Sequence, residues 1–234
     1  MFYIKELILS FIASVIIFTN AYSQRASDNF YFNSFKTKNY YFGFAIGTNQ
    51  KGYNLNHSKH FIGNDQIRIA EPITGVGFNL KLITNIKLGN NFDFRFLPGF
   101  AYSEYQFELT EGTSSNISQI KAQPFYLELP FLVRYKSQPY KDKRFFVIAG
   151  LKYGFDVAGK SNTKEPNLRF SPHDFQWEVG LGIQFFYPYF IFAPEIKFSR
   201  GLNNSLIYDN ASNEIRILEN IFSHVIELSL NFEG

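Results

Sequence analysis

Along residues 175–201, FQWEVGLGIQFFYPYFIFAPEIKFSRG, apolar and polar positions alternate with a period of two. That period belongs to strands that face two different environments. Phe175, Trp177, Val179, Leu181, Ile183 and Phe185 share one face, and Gln176, Glu178, Gly180, Gly182 and Gln184 the other. After Tyr187-Pro188-Tyr189, a second strand sets Phe190, Phe192, Pro194, Ile196 and Phe198 against Ile191, Ala193, Glu195, Lys197 and Ser199. If both polar faces point the same way, paired residue numbers sum to an odd value near 375 or 377. Glu178 then lies directly or diagonally opposite Lys197, and glycines face larger side chains.

The same pattern predicts six further strands. Residues 40–49 set Tyr40, Phe42, Phe44 and Ile46 against Gly43, Ala45, Gly47 and Asn49, and residues 74–87 set Val76, Phe78, Leu80 and Leu82 against Gly75, Gly77, Asn79 and Lys81. Residues 92–106 set Phe92, Phe94, Phe96, Phe100 and Tyr102 against Asp93, Arg95, Gly99, Ala101 and Ser103. Residues 123–136 set Phe125, Leu127, Leu129, Phe131, Val133 and Tyr135 against Glu128 and Arg134. Residues 144–157 set Phe145, Val147, Ala149, Leu151, Tyr153 and Phe155 against Gly150, Lys152, Gly154 and Asp156. Residues 220–232 set Phe222, Ile226, Leu228, Leu230 and Phe232 against Ser223, Glu227, Ser229 and Asn231. One face is bulky and aromatic, while the other mixes glycine with charges of both signs. Such charges are costly in a protein core but suit a barrel interior whose exterior is lipid. The prediction is an all-β fold, an eight-stranded antiparallel transmembrane β-barrel.

Connections alternate in length. Residues 88–91, 137–143 and 187–189 are short, and residues 50–73, 107–122, 158–174 and 202–219 are long. Outer-membrane barrels have short periplasmic turns and long extracellular loops, so both termini are expected in the periplasm of a Gram-negative bacterium. Tyr40, Tyr135, Tyr187 and Tyr189 fall at one rim and Tyr102, Phe175 and Trp177 at the other, matching interfacial aromatic girdles. The outward polar exceptions, Glu104 and His224, fall toward the outer rim.

The first residues change the picture only as an address. Lys5, an apolar run over residues 7–18 and the small-residue site Ala21-Tyr22-Ser23 predict a signal peptide over residues 1–23. The run is short for a membrane-spanning helix. Residues 24–39 then form a periplasmic N-terminal segment, in which Phe30, Tyr31, Phe32 and Phe35 are expected to dock on a partner or on the barrel mouth, and residues 40–234 form the barrel. With 29 Phe and 15 Tyr in 234 residues the aromatic content suits a lipid-facing wall. No cysteine is present, which excludes a disulfide framework and a catalytic thiol. The net charge of +3 comes from scattered residues and points to no nucleic acid.

Candidate chemistry is sparse. The predicted lumen holds Lys81, Arg95, Arg134, Lys152 and Lys197 with Asp93, Glu128, Asp156, Glu178, Glu195 and Glu227, a near-neutral set that favours a paired, plugged interior over a pore. A rim hydrolase would need a nucleophile beside a base, but Ser103 and Ser223 have no inward histidine. His57, His60 and His173 fall in loops. His57 and His60 with Asp65 lack the spacing of a metal site. No catalytic residue, cofactor or metal is assigned.

The runs YYFGFAIGTNQKGYNL, PITGVGFNLKLITNIKLGNNFDFRFLPGFAY, LELPFLVRYKS, FFVIAGLKYGFDVA and FQWEVGLGIQFFYPYFIFAPEIKFSRGLNN, with a last strand ending LNFEG, resemble the PorT family of small outer-membrane barrels. That family includes the PorT/SprT proteins of the type IX secretion system, which exports proteins carrying a C-terminal signal and supports gliding motility. The likeness spans residues 40–232 and is sharpest in GFNLKLITNIKLGNNFDFRFLPGF and YFIFAPEIKFSRGLNN. It implies a non-enzymatic accessory of secretion or of translocon assembly. Its implied partners are outer-membrane lipid and other secretion components in the envelope, with no small-molecule substrate. A structural or adhesive barrel working through its external loops, or a rim hydrolase, stays open on the residues alone.

Overall fold

The computed structural model describes residues 29–57, 67–111, 117–122, 124–157, 169–203, 206–207 and 218–234; the expected signal peptide lies outside them. A short helix, α1 (Phe30–Lys36), precedes β1 (Tyr40–His57), β2 (Ile67–Lys87), β3 (Phe92–Phe96), β4 (Gly99–Tyr102), β5 (Tyr105–Glu111), β6 (Ile117–Ala122), β7 (Phe125–Lys136) and β8 (Lys143–Asp156). Then come β9 (Arg169–Phe170), β10 (His173–Phe186), β11 (Ile191–Gly201), β12 (Leu206–Ile207) and β13 (Leu218–Glu233).

The sheet closes on itself. Strand β1 pairs antiparallel with β2 on one side and with β13 on the other. The ring runs β1, β13, β11, β10, β8, β7, then β3 with β4, then β2, which makes eight staves and leaves no open edge. Pro98 separates β3 from β4 because it has no N–H to give to the ladder. The register is unaltered across it, with Thr84 opposite Phe96 and Phe78 opposite Tyr102.

The residues alternate as the pattern requires. Outward Leu82 and Phe145 are 65% and 64% exposed, whereas inward Lys81 and Arg144 are 1% and 5%. Apolar side chains outside and charged side chains inside reverse the soluble arrangement, as lipid demands. On β10 and β11, Gly180 faces Lys197 and Val179 faces Phe198, so paired numbers sum to 377 and Glu178 is diagonal to Lys197.

Several strands run further than the alternation indicates. Strand β1 continues to His57 rather than ending near residue 49, which brings Lys51 and Tyr53 into the lumen as buried side chains. Residues 107–122, expected as a loop, instead carry much of the β5–β6 hairpin, whose register continues that of β4 with β7. The alternation in fact carries on along β5, Tyr105, Phe107 and Leu109 against Gln106, Glu108 and Thr110, and fades only in the polar run toward β6.

The tight turns at residues 88–91, 137–142 and 187–190 share one end of the barrel, called the turn end, with α1 and Gly234. Between β7 and β8, Tyr140 and Lys143 bridge around Lys141 and Asp142, whose φ values are 48° and 55°. Two left-handed residues match the right-handed twist of the flanking strands.

Candidate functional site

Every charged residue assigned to the lumen lies on an inward position, because each sits in phase with its strand's glycines and small residues. Eleven ion pairs link twelve of the inward side chains into one chain of alternating sign. It begins at Lys136, whose ammonium contacts Asp93, and Asp93 in turn holds Arg134 at 2.7 Å. Arg134 reaches Glu233 at 3.1 Å, Glu233 reaches Arg95 at 2.8 Å, and Arg95 reaches Glu195 at 2.9 Å. From Glu195 the chain passes to Lys197 at 3.1 Å, to Glu227 at 2.7 Å, and to Lys81 at 2.8 Å. Lys81 meets Glu128 at 2.9 Å, and Lys152 joins Glu128 at 3.3 Å to Glu178 at 3.4 Å. Six cations thus alternate with six carboxylates.

Hydrogen bonds complete the set. Tyr41 contacts Arg134 and donates to Asp93 at 3.2 Å, Asn85 accepts from Arg134 at 3.1 Å, and Ser199 donates to Glu178 at 2.8 Å. Most of these charged side chains have no exposed surface, so they have lost their water, and all but the two ends, Lys136 and Glu178, are held by opposite charges on both sides. Ala45, Ile83, Leu97, Leu132, Phe146, Ile148 and Ala193 pack as a buried apolar cluster in the same interior. The Arg134 guanidinium lies 5.2 Å from the Phe146 ring centroid. Fixed charges and apolar atoms fill the space that a channel would leave to water.

Of the residues expected in the lumen, Lys81, Asp93, Arg95, Glu128, Arg134, Lys152, Glu178, Glu195, Lys197 and Glu227 belong to this chain. Asp156 is half-buried at the other end of β8, opposite Tyr126. Glu178 pairs with Lys152 rather than with its diagonal neighbour Lys197. Lys136 and Glu233 were not among the expected lumen residues, although each continues the inward phase of its strand by one step. Lys51 and Asp174 form a separate pair at 3.3 Å near the loop end, where Ser223 donates to Asp174 at 2.9 Å.

Among the described residues the candidate rim groups do not converge. Ser223 is fully buried inside, and His224, next in sequence on the same strand, faces outward. His173 also faces outward, with Nδ1 2.6 Å from the Tyr153 hydroxyl. His60 and Asp65 lie outside the described residues.

The four aromatics of the N-terminal segment divide. Helix α1 turns Phe32 and Phe35 onto the barrel mouth, where Phe35 packs with Phe186 and Ile191 in a buried cluster and Phe32 meets Phe186 edge-on at 5.2 Å. Arg144 lies 5.2 Å from the Phe32 ring centroid. Phe30 and Tyr31 point away and are 78% and 37% exposed. The barrel satisfies both helix ends: Asp142 accepts from the Phe32 amide at 2.9 Å, and the Lys87 ammonium contacts the Phe35 carbonyl. A carboxylate at the first turn and a cation at the last are the favourable ends of the helix dipole. Sequence reading did not anticipate the helix, although Phe32 and Phe35 stand at the i, i+3 spacing of one helical face.

A closed eight-stave barrel, apolar outside and ion-paired within, is a small membrane-spanning barrel of the outer-membrane type. The chain belongs to the family described as "Outer membrane protein beta-barrel domain", whose model matches residues 22–206, and its place is the outer membrane. No curated protein matches the chain. Among solved structures it is similar to the outer membrane protein OprG from Pseudomonas aeruginosa, with 11% identity over 83% of this chain and 92% of that one, at a TM-score of 0.50. It also matches Ail, the attachment invasion locus protein of Yersinia pestis, with 14% identity over 84% of this chain and 100% of that one, at a TM-score of 0.41. The translocator domain of the autotransporter NalP from Neisseria meningitidis matches with 12% identity over 86% of this chain and 91% of that one, at 0.34.

Proposed function

We propose that this barrel is a non-enzymatic, non-conducting accessory of protein export by the type IX route, and of gliding motility where the two go together. Its turn end and both termini face the periplasm and engage other envelope components. The observation that carries this reading is the continuous ion-pair chain through the lumen. With the interior committed to itself, the wall and the two ends are the surfaces left for function. The resemblance of residues 40–232 to PorT proteins supplies the secretion role. The test is deletion of the gene, with cargo proteins bearing a C-terminal signal counted in medium and periplasm. Cargo trapped in the periplasm and released on complementation supports the role; unchanged export overturns it.

A second reading, an adhesive or structural barrel working from its outer end, is favoured by one feature. Strand β2 has 21 residues and pairs with the β5–β6 hairpin, whereas about 9–11 tilted residues cross a bilayer. Trimming residues 107–120 would abolish adhesion on this reading and leave export intact.

A further inference from the structure

Toward the loop end of the barrel wall one lipid-facing cation makes no ion pair among the described residues. Arg200 continues the outward row Ile196, Phe198 of β11, and it is exposed. In register it lies between Trp177 on β10 and His224 on β13. Among the described residues it makes no ion pair. The outward carboxylate Glu104 follows β4, four staves round the ring of eight and therefore on the opposite wall. Nδ1 of His224 is buried and without a hydrogen-bond partner, and Trp177 packs edge-on against Phe198 with ring centroids 5.6 Å apart.

A charged side chain on the outside of a barrel is tolerated where the apolar belt ends and headgroups begin. Among the described residues the guanidinium is there a fork of donors without an acceptor, beside the His224 imidazole, whose Nδ1 is buried and unpartnered. Trp177 at the same level and Phe198 one step below it offer an apolar surface to acyl chains. Phosphate is the anion that this fork matches, by paired charge-assisted hydrogen bonds, and in the membrane it arrives on a lipid. We infer that Arg200, His224 and Trp177 form a site for the phosphate of a lipid headgroup in the leaflet at the loop end, a phosphorylated glycolipid where that leaflet is the outer one. The site is a property of the wall and stands apart from any part in secretion.

The experiment uses the full mature chain, folded in detergent and checked by its heat-dependent gel shift. Bound lipid is counted by native mass spectrometry with lipid A, with lipid A stripped of its phosphates, and with inorganic phosphate alone. Wild type should hold lipid A about fivefold or more tightly than Arg200→Ala, the order of one basic side chain at a charged membrane surface. His224→Ala should weaken it less, and Arg200→Lys should keep part of the binding. Stripped lipid A should bind both chains equally and weakly. Equal retention of lipid A by wild type and Arg200→Ala overturns the site. Inorganic phosphate binding as tightly as lipid A overturns the lipid assignment in favour of a soluble-anion site.

Discussion

Arg134 on β7 and Glu233 at the end of β13 hold each other inside the barrel, Nη1 3.1 Å from Oε1, and Glu233 also binds Arg95 of β3 at 2.8 Å. Three staves are tied by one carboxylate that lies next to the last residue of the sequence. Glu233→Ala leaves two buried guanidinium groups short of a partner. Loss of one member of a buried pair costs about 3–5 kcal/mol. The midpoint of urea unfolding, followed by the single tryptophan, Trp177, should fall accordingly; an unchanged midpoint would show that Glu233 is not needed.

Position along the ion-pair chain should set the cost of breaking it. Glu227 binds two lysines, Lys81 and Lys197, whereas Glu178 ends the chain with Lys152 and Ser199. Glu227→Gln is therefore expected to destabilise more than Glu178→Gln, by on the order of 1 kcal/mol or more. The reverse order in unfolding experiments would contradict the described connectivity.

Phe35→Ala should undock α1 without opening the barrel, since the side chain fills the mouth and makes no ladder bond. Removing a buried phenyl ring costs about 3 kcal/mol or more, enough to raise the open population over a hundredfold. Trypsin should then cut at Lys36 and Lys38 much faster than in wild type, while the heat-dependent gel shift persists. Equal cleavage rates would mean that the helix is not held by this contact.

Gly182 on β10 faces Phe146 across the β8–β10 ladder, and a Cβ there would collide with the Phe146 ring. Gly182→Ala is expected to cost about 1–3 kcal/mol through overpacking, while the double variant with Phe146→Leu recovers part of it. Additive losses in the double variant would reject the coupling.

Planar bilayers containing the purified protein should stay electrically silent. The lumen charges neutralise one another, and Leu97, Leu132 and Phe146 close the remaining space. Regular conductance steps from wild type, absent with the heat-denatured protein, would refute a filled lumen.

Alternation made the inward and outward faces legible wherever one face was bulky, as along Phe145 to Phe155 on β8. It gave no bounds where the bulky set stops, at Gln50 and Gly52, which is why Lys51 and Tyr53 were expected in a loop. Inward charges could be named but not paired. Lys81 and Glu227 are 146 residues apart, and only the closed ring brings β2 and β13 within reach of one another through β1. Local spacing carries no such information. Phe32 and Phe35 were marked as docking aromatics, yet the helix that divides them from Phe30 and Tyr31 is held by Asp142 and Lys87, contacts of long range that a seven-residue stretch cannot disclose.

The seam between β1 and β13 joins the two extremes of the barrel sequence, with Gly43 opposite Glu233 and Asn56 opposite Asn220. Contacts of such separation form late, because loop-closure entropy precedes their reward. Until β13 arrives, Arg95 and Arg134 lack Glu233, and Lys81 and Lys197 lack Glu227, so a seven-stave sheet would carry unneutralised cations into the bilayer. Closure and neutralisation are then a single event. An unfinished barrel is thus short of two inward carboxylates, Glu227 and Glu233, and insertion into lipid is expected to be coupled to its closure.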